Sequence, residues 1–197
     1  MAGNRRKSTS AKKKKAGRRN VQETNNNVPT NTNPPDINDV LSQADAALES
    51  SNVENALQLY SYAAGVLRNF FQALSSNMAS SNEEKESSAL LLSSVLGKMA
   101  EAKVSMGDQE SAQQDFLEAT KLLSGDGPAN NLVASAQWKE ARASLYLYLG
   151  QLSNSADALE AFTRAITDLR ACAALLEEFL KENSSDESVK EASLDTR

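Results

Sequence analysis

The side chains able to do chemistry in this chain are carboxylates, ammonium groups and a single thiol, for histidine is absent. That absence removes imidazole general bases, histidine-based triads and every histidine-containing metal site. Cys172 lies in ITDLRACAALLEEF, where helical spacing predicts a buried face and an inert thiol. Glu177, Glu178 and Glu182 are expected as helix-surface charges with no partner base. SGDGPAN, with Gly125 and Gly127, follows a helical pattern and lacks a GK[ST] continuation, so it is not a phosphate loop. No enzyme, metal or cofactor is expected. What remains is recognition by charge.

Charge is divided sharply along the chain. The first 20 residues hold nine basic side chains and no acid: Arg5, Arg6, Lys7, Lys12, Lys13, Lys14, Lys15, Arg18 and Arg19. The rest holds 12 basic against 26 acidic residues, a balance of −14 inside an overall −5. An acidic body repels nucleic acid and attracts basic partners. The two basic clusters, about ten residues apart, fit a nuclear import signal read by an import receptor. The tail has no aromatic side chain, which argues against sequence-specific RNA reading and leaves nonspecific contact as the competitor.

These groups need elements to hold them. Residues 1–35 combine the basic run with an Asn/Thr/Pro-rich stretch that has little to bury, which predicts a disordered tail. From Ile37 onward helical periodicity is strong and no alternating β-branched run occurs, so the expected class is all-α. The pattern predicts helices near 37–50, 54–76, 83–106, 109–124, 131–150 and 155–182, with Asp36 as the first N-cap. A helical domain over 36–183 would then precede a polar, fraying C-terminal tail at 184–197. Residues 70–88 fit either helix or loop. No stretch approaches the length of apolar sequence that spans a membrane. The lone cysteine excludes an intramolecular disulfide and points to cytoplasm and nucleus.

An internal repeat organises the helices. ENALQLYSYA, ESAQQDFLEA and ADALEAFTRA each place a small residue, an aromatic four later and a small residue three later: Ala56/Tyr60/Ala63, Ala112/Phe116/Ala119 and Ala158/Phe162/Ala165. That spacing sets all three on one helical face. Ala44 and Ala100 stand 12 residues upstream of the first two, across the turns SSNVE and MGDQE. Small residues let two antiparallel helices cross closely while the aromatic ring fills the gap. A lone hairpin cannot cover its apolar face, so hairpins stack.

The pattern resembles the tetratricopeptide repeat, and implies a solenoid of three helical hairpins. Its first copy carries Val40, Ala44, Leu48, Ala56, Tyr60 and Ala63; its second Leu96, Met99, Ala100, Gly107, Ala112, Phe116 and Ala119. The third carries Trp138, Ala143, Tyr146, Gly150, Ala158, Phe162 and Ala165, with about three extra residues in its turn. The copies stand 56 and 46 residues apart, against a usual period of about 34. Extra residues are therefore expected in NFFQALSSNMASSNEEKESS and SGDGPANNLVAS. The competing reading is an unrelated helical bundle.

In such a solenoid the first helix of each hairpin lines a concave groove. By spacing, the lining takes Asn38, Leu41, Asp45 and Leu48, then Gly97, Glu101 and Val104, then Glu140, Ser144 and Leu147. Apolar positions mixed with the carboxylates Asp45, Glu101 and Glu140 suit an extended basic peptide. A clamp for anionic peptide C-termini is not expected, because the first inner helix, INDVLSQADAALES, has no lysine or arginine.

WKEARASLYLYLGQLSNSADALEAFTRAITDLRACAALLEEF and the preceding LLSSVLGKMAEAKVSMGDQESAQQDFLEATKLL are similar to the eukaryotic assembly chaperones of large-subunit ribosomal protein 4. The resemblance spans roughly residues 37–180 and is clearest over 90–175. It implies a dedicated chaperone that shields a basic loop of the newly made ribosomal protein and accompanies it into the nucleus. That family has further repeats after this hairpin, where the present sequence ends in EASLDTR. The alternatives are a generic protein–protein scaffold and a histone-type chaperone of the repeat class. The latter commonly has a long acidic insert, whereas SSNEEKESS is short.

Overall fold

In the computed structural model, the described residues are 36–194, with side chains described through 184. The basic tail, its import-signal residues Arg5 to Arg19 and the last three residues lie outside them. Six helices follow in order: α1 (Ile37–Glu49), α2 (Val53–Ser76), α3 (Asn82–Ser105), α4 (Gln109–Leu122), α5 (Leu132–Leu152) and α6 (Ser155–Leu194). There is no strand among the described residues, and the chain is all-α. Consecutive helices pack as antiparallel neighbours, and α3 also touches α5, which is the order of a stack of hairpins. No helix among the described residues is long and apolar enough to cross a membrane.

Each start has a chemical cause. Asp36, Asn52, Asp108 and Asn131 accept from backbone N–H groups two or three residues on, satisfying donors that the first turn leaves open. Ser81 and Glu84 form a reciprocal capping box at the head of α3. The α3–α4 turn closes when Gly107, at φ 83°, lets Asp108 N–H reach the Lys103 carbonyl. The α1–α2 turn makes the same closure, Asn52 N–H to the Ala47 carbonyl, yet Ser51 holds the left-handed position at φ 60°. A side chain there costs about 1 kcal/mol. Ser51→Gly is expected to raise the unfolding free energy by about 0.5 kcal/mol once the freer unfolded chain is counted. Urea titration checks the sign; no gain would mean that the turn is not strained.

The repeat spacing becomes packing. Ala44, Ala56, Tyr60 and Ala63 in the first hairpin, and Ala100, Ala112, Phe116 and Ala119 in the second, have no solvent exposure. In the third, Ala143 and Ala165 are as deep, but Ala158 and Phe162 are only half-buried. Gly150 lies at this last crossing: a Cβ built there would stand 2.6 Å from the Phe162 ring. The insertion expected between the first two repeats is taken up mainly as helix, whereas most of the second, SGDGPANNLVAS, is the loop between α4 and α5. α2 and α3 each run 24 residues, leaving only 77–81 as the link, so most of 70–88 is helical. The extra residues in the third turn likewise extend α5 past Gly150 to Leu152.

α6 departs most from expectation. Its backbone stays helical to Leu194 instead of ending near 182. No glycine or proline follows Gly150, so nothing in the sequence supplies a stop.

Candidate functional site: the inner-helix surface

The first helices of the hairpins, α1, α3 and α5, bring part of the expected lining together. The anchor is Asp45, half-buried on α1. Lys98 of α3 donates to both its oxygens, at 2.7 and 2.8 Å, and the Tyr60 hydroxyl of α2 donates to one of them at 2.5 Å. Burial pushes the Asp45 carboxyl up, but the ammonium and the phenol together outweigh it and hold it below the ordinary carboxylate value. The Tyr60 phenol is driven strongly upward, by burial first and by Asp45 second.

Glu101 is exposed on α3, one helical turn beyond Gly97. It stands near enough to raise the phenol of Tyr60, and that of Tyr148 on α5, which burial already pushes up. Tyr148 in turn stacks on Phe116, ring centroids 4.9 Å apart and 7° from parallel. So one surface holds Asp45, Lys98, Glu101 and the half-buried Tyr148, while the Tyr60 hydroxyl supports Asp45 from below, fully buried.

The apolar candidates are placed unevenly. Leu41, Leu48 and Val104 pack half-buried against the core, leaving an edge of each to solvent, and Leu147 is exposed. Gly97 is buried where α3 meets α5, with a built Cβ 3.3 Å from Leu145. Asn38 and Ser144 are exposed. Glu140 is also exposed, and its charge acts on Cys172 of α6, whose thiol is raised by burial first and by Glu140 second. No contact joins Glu140 to Asp45 or Glu101 in the structure described.

Lys98 escaped the spacing argument. It follows a glycine assigned to the groove and stands three residues before Glu101, so an i,i+3 search for opposite charge would have found it. Its effect matters: Asp45 is already compensated, and Glu101 is left as the carboxylate able to meet a cation at the centre of this surface. The patch is mixed, with less negative charge than composition suggested.

Two cavities of about 560 Å³ each lie elsewhere, beside the N-terminal half of α3. One, between Leu67, Phe70 and Leu91, includes the buried Ser88, whose hydroxyl has no hydrogen-bond partner. Among the described residues no group of three or more His, Cys, Asp or Glu is placed to hold a metal ion.

No protein-family model matches the chain, and no curated protein is significantly similar to it.

Proposed function

We propose that this chain is a non-catalytic binding protein of the tetratricopeptide-repeat kind, whose inner-helix surface takes an extended basic segment of a newly made ribosomal protein. Large-subunit ribosomal protein 4 is the client that the sequence resemblance favours. Escort from cytoplasm to nucleus would use the basic tail and an import receptor. No membrane and no specific nucleic acid takes part.

One observation carries the reading. The buried small–aromatic–small triads stack two hairpins so that a carboxylate, Glu101, stands at the joint between α3 and α5 beside the Tyr148 phenol, with Val104 one turn further along α3 and the partly exposed edges of Leu41 and Leu48 on α1. A cationic side chain could pair with Glu101 while its neighbours in an extended peptide rest on the apolar edges. Lys98 limits the charge, so affinity must come from shape and apolar contact as well as from attraction.

The test is capture by the full chain from a nuclear and cytoplasmic extract, followed by titration with the purified client. Glu101→Lys should weaken client binding about tenfold, and added salt should narrow the gap between the variant and the natural chain. Recovery of histones, or of neither histone nor ribosomal protein, would overturn the client assignment. Unchanged affinity in Glu101→Lys would overturn the site.

A further inference from the structure

Two stretches interrupt the repeat period, NFFQALSSNMASSNEEKESS and SGDGPANNLVAS, and they meet at one cavity. It has a volume of about 560 Å³ and lies between the N-terminal half of α3 and the start of α5. The first stretch contributes Asn82, Glu83, Glu86 and Ser87 to its lining, and the second contributes 127–131 and Ala134. Leu90, Gln137 and Trp138 complete it from the repeats themselves. Without the two insertions most of this lining would not exist.

The loop side of the cavity is held in shape by its own bonds. Ser135 donates to the Pro128 carbonyl at 2.5 Å, Arg142 donates to the Gly125 carbonyl, and Lys139 pairs with Asp126 at 3.0 Å. The Trp138 indole donates to the Leu123 carbonyl, which fixes the ring. Gly127 then lies against that ring at φ 79°, where a built Cβ would stand 2.7 Å from it. A loop pinned in this way loses little freedom when a ligand arrives.

The chemistry of the lining selects its occupant. Leu90, Pro128 and an edge of Trp138 supply apolar surface, α3 supplies the carboxylates of Glu83 and Glu86, and Asn130 and Gln137 supply side-chain amides opposite. Among the described residues no lysine or arginine lines the cavity, and neither carboxylate has an ion-pair partner. Such a site suits a cation on an apolar stem. Acceptors on facing walls match the planar guanidinium, whose five donors point several ways, better than a single ammonium.

Position gives the partner. On α3, Glu83, Glu86, Leu90, Gly97, Glu101 and Val104 follow one another at intervals of three, four or seven, which sets them along one helical face. Glu86 and Glu101 are 15 residues apart on that face, a distance of about 22 Å along the helix. An extended peptide covers that span in about seven residues. We infer, building on the client reading, that the cavity seats an arginine of the same basic segment, about seven residues from the cation paired with Glu101.

Trp138 is the one tryptophan of the chain, so its emission reports on this cavity. The probe is a tryptophan-free peptide of Gly, Ser and Leu with a lysine and an arginine about seven residues apart. Anisotropy of a labelled copy gives its affinity for the full chain, and the unlabelled copy is titrated against Trp138 emission. The emission should change saturably, and citrulline in place of the arginine should weaken binding about tenfold. Glu83→Gln/Glu86→Gln should weaken it about as much with unfolding unchanged, because Glu84, the capping partner, is kept. Glu101→Lys should lower the affinity yet leave the Trp138 response at saturation. A peptide that binds without moving that emission, or equally well with citrulline, would overturn the arginine seat and leave the Glu101 surface standing. A full Trp138 response with affinity indifferent to Glu101→Lys would keep the seat and overturn its link to Glu101. No binding of the peptide at all would overturn the seat, and the purified client then tests the Glu101 surface by itself.

Discussion

Phe116→Ala should lower the unfolding free energy by about 3–5 kcal/mol, the cost of emptying a ring-sized volume that the backbone cannot close. The ring has no solvent exposure, lies among Ala100, Ala112 and Ala119, and stacks on Tyr148 across the α4–α5 boundary. It therefore fills its own hairpin and also joins that hairpin to the next. Phe162→Ala supplies the control, because the equivalent ring in the third hairpin is half-buried. Its expected cost is about half as large. Urea titrations of both variants, followed by circular dichroism, check the order. Equal costs, or a milder Phe116→Ala, would contradict the view that ring burial at the hairpin joints holds the stack together. Client affinity should fall in Phe116→Ala even where the protein is folded, since Tyr148 beside Glu101 loses the surface it rests on.

Much of this fold was legible in the residues, for definite reasons. Helix starts are written in short polar side chains: Asp36, Asn52, Ser81, Asp108 and Asn131 stand where the first open N–H groups need an acceptor. The triads were visible because a small–aromatic–small spacing has few uses other than a close helix crossing. Element ends were less visible where no residue enforces a stop. α6 runs to Leu194 because a polar sequence without glycine or proline is compatible with continued helix, and exposed polarity alone does not end one. The helices expected near 54–76 and 83–106 are found at Val53–Ser76 and Asn82–Ser105, which settles 70–88 as mostly helix. The residues inserted between the first two repeats lengthen α2 and α3, since NFFQAL still has apolar residues at helical spacing and the head of α3 has its own capping box.

The site was harder to read, because a groove position depends on which face the neighbour covers. Leu41, Asp45, Leu48, Glu101 and Val104 are half-buried or exposed on α1 and α3. Gly97 is not, since α3 and α5 approach closely enough to bury it. Glu140 acts on Cys172 of α6 because α5 and α6 pack along their length, a relation that a count along α5 cannot contain. The Asp45–Lys98 pair joins residues 53 apart in sequence and becomes visible only once α1 and α3 lie side by side. Aromatic plugs were anticipated as volume. That the phenol of Tyr60 would bind the Asp45 carboxylate was not, because a ring's depth decides which way its hydroxyl emerges.

Arg142→Met is expected to cost about 3–5 kcal/mol, more than any surface ion pair in the molecule could. Arg142 and Asp168 have side chains only 14% and 8% exposed, and the guanidinium makes a two-point contact with the carboxylate at 2.7 and 2.6 Å. The same guanidinium donates to the carbonyls of Leu123 and Gly125, so one side chain ties α5 to α6 and to the loop after α4. Removing it leaves Asp168 charged in a dry setting with no cation, and that penalty exceeds what the intact pair contributes. The double variant Arg142→Met/Asp168→Leu separates the two quantities. Without the stranded carboxylate, stability should return to within about 1 kcal/mol of the natural chain, as buried pairs replaced by apolar groups commonly do. The Leu123 carbonyl still accepts from the Trp138 indole in that variant, so it is not orphaned. Thermal and urea unfolding of the three proteins give the comparison. If the double variant is as damaged as the single one, the loop carbonyls rather than the ion pair hold the third hairpin against the second, and Gly125 becomes the residue around which that junction is built.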